Sequence, residues 1–182
     1  MVWGAASSVG TAVVQIARIM GFHVYATASE KHREYLESLG ASRVFDYKAD
    51  DLEVTIVKCA KEDGITFKTG YFAIGDFKAC LDILKALSPD GTAKVCSAPP
   101  MNDDTPKVEG VEAKFVAAPL DHKERDDYFH FIFNLWLKEK LEKNEFVPSP
   151  KIKMVHGGLH SLSKALDELK AGVSGTKLVL EL

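Results

Sequence analysis

The chain has few cysteines, no long apolar run and no concentration of basic charge, and each absence excludes a class of protein. Its 182 residues contain only three cysteines, Cys59, Cys80 and Cys96. Their odd number and wide spacing fit neither a disulfide framework nor a zinc site, so we expect small core residues and no bound metal. No apolar stretch approaches the roughly 20 residues that cross a bilayer.

The charge of the chain is close to balanced. The net charge is −3, and no basic run with interleaved aromatic residues is present, which argues against nucleic acid as a partner. The first residues resemble a strand and a glycine loop instead of a charged segment leading an apolar one, so we expect no secretory signal. We therefore expect a cytoplasmic protein with neither a membrane nor a nucleic-acid partner.

Apolar periodicity predicts strands that alternate with helices over the first two thirds of the chain. Residues 9–20, for example, carry apolar side chains at helical spacing and end at Gly21, a typical helix C-cap. The pattern predicts strands at 2–3, 22–27, 44–45, 71–74, 93–96 and 113–117, and helices at 9–20, 31–39, 52–60 and 77–84. Each helix would then be a crossover that returns the chain to the same sheet, so that successive strands lie parallel. We predict an α/β fold, a doubly wound, mostly parallel Rossmann sheet with helices on both faces.

The turn between the first strand and the first helix is rich in small residues. Residues 4–10 read G-A-A-S-S-V-G, which aligns Ala5, Ser7 and Gly10 with the three glycines of the dinucleotide fingerprint G-x-G-x-x-G. Small residues still allow close backbone approach to a pyrophosphate at the helix N-terminus, and a serine hydroxyl can donate to it. The hydroxyl of Ser7 or Ser8 is the predicted phosphate donor. The alternative is a purely structural turn from strand to helix.

The end of the second predicted strand tests which dinucleotide binds. An acidic residue about 20 positions after the loop would accept from the ribose 2′-hydroxyl of NAD, but Ser29 stands there, followed by Glu30, Lys31, His32 and Arg33. A hydroxyl followed by cationic side chains favours the 2′-phosphate of NADP(H). Glu30 opposes this reading, because its carboxylate could reach the ribose. The alternative for the basic residues is a solvated helix start.

The alternation breaks after the sixth predicted strand. Apolar and aromatic side chains at 129, 132, 133, 136 and 141 stripe one side of a long helix, which we expect to belong to the core. A strand at 151–155, a turn, a short helix around Leu162 and a last strand at 177–182 follow. We divide the chain into an NAD(P)-binding domain, residues 1–144, and a strand-helix-strand tail, residues 145–182.

Several segments together resemble the cofactor-binding domain of the medium-chain dehydrogenase/reductase superfamily. They are V-W-G-A-A-S-S-V-G with Q-I-A, T-A-S with a basic pair, L-G-A-S-R-V-F-D-Y, H-G-G-L, and A-L-D-E-L-K-A-G-V-S-G-T-K-L-V-L. The likeness is greatest to the zinc-independent quinone oxidoreductases and to fungal trans-acting enoyl reductases, and it runs from residue 2 to residue 182. It implies hydride transfer from NADPH to an activated C=C or carbonyl of a small-molecule substrate.

The resemblance also assigns cofactor contacts. It implies that the loop formed by Ser7, Ser8, Val9 and Gly10 holds the pyrophosphate. It implies that Ser29, Lys31, His32 and Tyr47 surround the adenosine 2′-phosphate, and that Ile74, Gly75, Ser97 and Ala98 face the nicotinamide. The alternative for Tyr47 is an aromatic residue at the sheet edge. No acid/base constellation is present, so we name no catalytic residue.

Members of the superfamily carry an N-terminal catalytic lobe before this domain, and their tail strands join or brace it. The resemblance therefore implies a fragment, a truncated gene model or an isolated cofactor domain. Two further hypotheses stay open at this point. One is an NADP(H)-binding or sensing module that associates, with itself or a partner, through the tail strands or a sheet edge. The other is an inactive remnant.

Overall fold

The computed structural model describes residues 1–88 and 91–181. Six parallel strands form one sheet in the order β3-β2-β1-β4-β5-β6, and two further parallel strands, β7 and β8, pair separately. The strands are β1 (Val2–Trp3), β2 (Tyr25–Ala28), β3 (Arg43–Asp46), β4 (Thr69–Phe72), β5 (Ala93–Ser97), β6 (Val111–Phe115), β7 (Lys151–Val155) and β8 (Thr176–Leu180). This is the doubly wound α/β architecture that the alternation predicts.

Helices join β1 to β5 in chain order, whereas β5 continues to β6 without a helix, and further helices follow β6. They are α1 (Ser8–Ile19), α2 (Arg33–Leu39), α3 (Leu52–Glu62), α4 (Phe77–Leu87), α5 (His122–Phe129), α6 (Leu137–Glu142) and α7 (Leu162–Ala171). A 3-10 turn, Glu30–His32, precedes α2, and a π-helical segment, His130–Trp136, joins α5 to α6. None of the described helices combines the length and the apolar character that a membrane span needs.

The core lies on both faces of the sheet because alternate residues of a strand point to opposite faces. Val2 belongs to the apolar cluster that includes Val14 of α1 and Leu36 of α2. Trp3, the next residue, belongs to the cluster that includes Ile56 of α3 and Leu84 of α4. The short strand β1 therefore ties both layers together at the middle of the sheet.

Two predictions about the core are wrong. The long helix forms, but none of the residues of α5, the π-helical segment and α6 is buried, and Phe133 is 56% exposed. Its periodicity predicts a helix correctly, but periodicity does not say what covers the apolar side. Of the three cysteines only Cys80 is buried, whereas Cys59 is partly buried and Cys96 is exposed on β5.

The tail, residues 145–182, docks beside α1 and α2. The Gln15 amide accepts from the backbone N–H of Val147 at 2.8 Å and donates to the Val147 carbonyl at 3.1 Å and the Ser149 hydroxyl at 3.1 Å. The Lys151 ammonium lies 4.9 Å from the ring centroid of Tyr35. The last strand begins and ends one to two residues before the predicted bounds, and Leu182 lies outside the described residues. The domain boundary at residue 144 stays a prediction.

Candidate functional site

The small-residue loop, residues 4–10, forms a tight turn from β1 into α1. Gly4 has φ +73°, a conformation that L side chains rarely adopt, and its N–H donates to the Thr27 hydroxyl at 3.2 Å. A Cβ at Gly10 would lie 2.4 Å from the Gly4 carbonyl oxygen. The two glycines therefore allow the first turn of α1 to pack directly on the loop.

Ser7 is the N-cap of α1. Its hydroxyl accepts from the Gly10 N–H at 3.0 Å and donates to the Gly4 carbonyl at 2.8 Å, so both hydrogen-bonding roles are used within the loop. The next two residues, Ser8 and Val9, are exposed, and N–H groups in the first turn have no acceptor within the helix. The Ser8 hydroxyl and these two N–H groups form a surface that fits an anion at the positive end of a twelve-residue helix.

The basic segment, residues 29–33 after β2, contains one carboxylate, that of Glu30, and this carboxylate forms an ion pair. Glu30 accepts two hydrogen bonds from Arg33, at 2.6 and 2.7 Å, and the guanidinium lowers the pKa of Glu30 below its usual value. Arg33 also donates to the Val44 carbonyl. The side chains that remain at the end of β2 are the exposed Lys31, and Ser29, whose hydroxyl caps no helical N–H.

His32 connects this segment to the tail. Its Nε2 lies 2.7 Å from the Ser174 hydroxyl, and a Cβ at Gly175 would lie 2.5 Å from the imidazole Cε1. Burial and the neighbouring Lys31 lower the pKa of His32. Sequence reasoning missed Ser174 and Gly175, because no local spacing indicates a contact across 142 positions.

Tyr47 follows the carboxyl end of β3. Its N–H donates to the carbonyl of Ala28, the last residue of β2, at 3.4 Å, and its side chain is 49% exposed. The Lys48 ammonium lies 5.8 Å from the ring centroid. The phenol ring is therefore exposed beside the end of β2, at the edge of the sheet where Ser29 also lies.

The residues predicted to face the nicotinamide follow β4 and β5. Ile74 is 60% exposed, and Gly75 has φ +117° with its missing Cβ 3.0 Å from the Trp3 Nε1. Ser97 is buried, and its hydroxyl donates to the Pro99 carbonyl at 2.8 Å. The Ala98 N–H donates to the carbonyl of Phe72 in β4. The side chain of Ile74 is available to a ligand, whereas Ser97 can offer at most its backbone.

Two other features of the described residues bear on the site. No group of three or more His, Cys, Asp or Glu side chains is placed to hold a metal ion in residues 1–88 and 91–181. An apolar cavity of about 670 Å³ lies by the amino end of β1, lined in part by Ile16, Met20, Ile65 and Tyr71. Since dinucleotides bind at the carboxyl ends of parallel strands, this cavity is not the dinucleotide cleft.

Solved oxidoreductases share the fold. A putative NADPH:quinone reductase from Bacillus thuringiensis is 19% identical and superposes with a TM-score of 0.72, over 100% of this chain and 55% of its own. CurA from Vibrio vulnificus, solved in complex with NADPH, is 20% identical with a TM-score of 0.66, over 99% of this chain and 55% of its own. These likenesses confirm the predicted fold.

Relatives by sequence match the chain along its whole length. The trans-enoyl reductase tndF of Aspergillus flavipes is 40% identical over 100% of this chain and 53% of its own length. The dehydrogenase pigH of Monascus ruber is 28% identical over 100% of this chain and 54% of its own length. The chain thus spans about half the length of these curated relatives. Residues 8–126 match the family described as zinc-binding dehydrogenase, and the chain belongs to this family, whose model covers the C-terminal domain of medium-chain dehydrogenases/reductases.

Proposed function

We propose that the chain is the NADP(H)-binding part of an oxidoreductase that transfers hydride to an activated C=C or carbonyl. The observation that carries the proposal is the state of the only carboxylate in the basic segment. Glu30 is paired with Arg33, which offsets its charge, whereas Lys31 is exposed beside Ser29. A 2′-phosphate would meet a cation and a hydroxyl there instead of an acid.

The pyrophosphate would lie against the first turn of α1. The exposed N–H groups of Ser8 and Val9 and the Ser8 hydroxyl supply donors, and the helix dipole favours negative charge at this end. Gly10 lets the first turn of α1 lie close to the loop, because any side chain there would collide with the Gly4 carbonyl. Ser7 contributes by capping the helix, and so it fixes the direction of these donors.

The nicotinamide end would lie toward Ile74 and Gly75, beyond the carboxyl end of β4. When bound, the dinucleotide supplies the hydride, and the protein orients it and excludes water. Ile74 offers an apolar surface for one ring face. We propose zinc-independent chemistry, which is what the resemblance to the zinc-independent quinone oxidoreductases implies.

The substrate class is proposed from the relatives. Two fungal relatives, tndF of Aspergillus flavipes and tazE of Aspergillus terreus, are trans-enoyl reductases. Their names favour an enoyl group as the acceptor of hydride. We expect the part of such an enzyme that this chain represents to bind the cofactor and to leave most contacts with the substrate to other residues.

A cofactor titration tests the proposal. Isothermal calorimetry of the 182-residue chain with NADPH and with NADH should give micromolar or weaker binding of NADPH and weaker binding of NADH. Adenosine 2′,5′-bisphosphate should compete with NADPH, because it carries the group that Lys31 would recognise. Equal affinity for the two dinucleotides, or no binding of either, would overturn the assignment of the basic segment.

A second candidate is an NADP(H)-binding module without catalysis of its own. It is favoured by the pairing of β7 with β8 alone in the described sheets, because their outer edges are open to another chain. An assay of NADPH oxidation with quinone and enoyl substrates separates the two candidates. It is run with the chain alone and with the N-terminal half of a relative added in trans. Turnover in either case supports the oxidoreductase, and binding without turnover in both cases supports the module.

A further inference from the structure

Hydrogen bonds join the tail to the main domain at two separate places. The first residues of the tail, 145–149, are bound by two side chains of α1. Gln15 makes three hydrogen bonds to Val147 and Ser149, and the Arg18 guanidinium donates to the Glu145 carbonyl at 2.7 Å. The far loop of the tail, between α7 and β8, meets the main domain through the pair formed by His32 and Ser174. Only the second contact lies in the basic segment that the proposed function assigns to the 2′-phosphate.

We propose that His32, Ser174 and Gly175 form a latch that couples recognition of the 2′-phosphate to docking of the tail loop, a proposal that rests on the proposed function. A cofactor with a 2′-phosphate strengthens the contact between residues 172–176 and the basic segment, whereas a cofactor without it leaves this contact as it is in the free chain. His32 and Ser174 are then positioning residues for the tail as well as selectivity residues for the cofactor.

The chemistry of the imidazole supports the coupling. A neutral imidazole has one N–H donor and one acceptor, whereas the protonated ring has two donors. The charged groups that face the ring are Lys31 and, when bound, the phosphate, while Glu30 is paired with Arg33. A phosphate dianion favours the protonated ring, which can donate from Nδ1 to the phosphate and from Nε2 to the Ser174 hydroxyl. The hydroxyl bond then becomes charge-assisted and stronger.

Close packing at Gly175 makes the contact specific. Gly175 has φ +63°, and the position of its missing Cβ lies 2.5 Å from Cε1 and 2.8 Å from Nδ1 of His32. The imidazole therefore fills the space that a side chain at this position would take. Movement of the ring toward a ligand must be accompanied by movement of the loop, or the contact is lost.

Hydrogen exchange tests the latch, because it reports on the tail without any need for turnover. Amide exchange is measured for the free chain and for the chain saturated with NADPH or with NADH. We expect NADPH to slow exchange about 3- to 10-fold in peptides that cover residues 172–180, and NADH to leave them unchanged. Peptides that cover residues 145–150 should respond to neither cofactor, since Gln15 holds them independently.

Variants give the matched comparison. Ser174→Ala should abolish the protection by NADPH and weaken NADPH binding a few-fold, and Ser174→Thr, which keeps the hydroxyl, should restore both. Ser163→Ala, at an exposed serine of α7, should behave as the wild type. Gly175→Ala should reduce the affinity for NADPH more than the affinity for NADH, because it displaces His32.

The outcomes separate the two proposals. If NADPH binds in preference to NADH but residues 172–180 exchange at the same rate in its presence, the latch is wrong and the proposed function stands. Equal protection by NADPH and NADH also overturns the latch, because the 2′-phosphate would then play no part. If neither dinucleotide binds, the proposed function fails and the latch fails with it.

Discussion

The carboxylate of Asp63, just beyond the end of α3, accepts a hydrogen bond from the phenol of Tyr25, the first residue of β2. Arg43, the first residue of β3, binds the same carboxylate, with its Nε 2.7 Å from Oδ2. The three side chains link two neighbouring strands to one helix at the end of the sheet opposite the phosphate loop. They have no part in cofactor binding, and so they serve as a measure of stability alone.

We predict that Tyr25→Phe lowers the free energy of unfolding by about 0.5–1.5 kcal/mol, the ordinary net value of one hydrogen bond. The ring itself is fully buried and stays in place beside Phe45 and Phe67. Urea unfolding of the variant and the wild type measures the difference, and the NADPH affinity should not change. A variant as stable as the wild type would show that the phenol contributes nothing to the fold.

The same cluster predicts a dependence of stability on pH. The Arg43 guanidinium and then the Tyr25 phenol lower the pKa of Asp63 from 3.8 to about 2. A carboxyl whose pKa is lower in the folded state stabilises the fold above its unfolded pKa and loses this contribution as the pH falls through the folded value. The difference in unfolding free energy between the wild type and Asp63→Asn should therefore shrink between about pH 4 and pH 2. A difference that is constant over this window would contradict the prediction.

Ser7 and Ser8 should separate stability from binding. Ser7→Ala removes the N-cap of α1 and should cost about 1 kcal/mol of stability, with little direct effect on NADPH affinity because its hydroxyl already serves the loop. Ser8→Ala should leave the melting temperature unchanged and weaken the binding of both NADPH and NADH. Thermal unfolding and calorimetry distinguish the two, and a reversed pattern would assign the phosphate contact to Ser7.

Gly10→Ala should prevent binding of both dinucleotides. The added Cβ would lie 2.4 Å from the Gly4 carbonyl oxygen and 2.7 Å from the Ala5 Cα, so α1 must shift away from the loop. Overpacking of this kind costs about 1–3 kcal/mol. Gly91→Ala is the matched control, because a Cβ there meets nothing within 4 Å. Retained binding in Gly10→Ala would mean that the turn tolerates a side chain.

Lys31→Glu should weaken NADPH binding by about 1.5–3 kcal/mol, the range for a hydrogen bond to a charged group, and should leave NADH binding nearly unchanged. The control is Lys123→Glu, which makes the same change of charge at an exposed position in the first turn of α5. Calorimetry at two salt concentrations checks the result. A loss of affinity that is equal for both dinucleotides would return Lys31 to a solvated surface role.

Local patterns in the sequence predict the main sheet because they record local geometry. Gly21 is an example, since it is predicted to end the first helix, and it directly follows Met20, the C-cap of α1, with φ +82°. Contacts between distant segments leave no such record, and the pair of His32 and Ser174 has no signal in either segment alone. The apolar side of α5 and α6 shows the same limit, because periodicity identifies the side but not the partner. The cofactor contacts assigned by resemblance stay predictions.

The shortness of β1 has a consequence for how the sheet opens. The two-residue strand β1 joins the pair β2-β3 to the triple β4-β5-β6. Its ladder with β2 has one residue pair, Val2 with Ala26, and its ladder with β4 has two, Val2 with Tyr71 and Trp3 with Phe72. Each flank has a longer internal ladder of four or five residue pairs. The sheet therefore has its shortest ladders at its centre, and they form a seam between two larger blocks. Partial unfolding should divide it into two cooperative units at this seam and expose Trp3 to solvent, well before either edge frays.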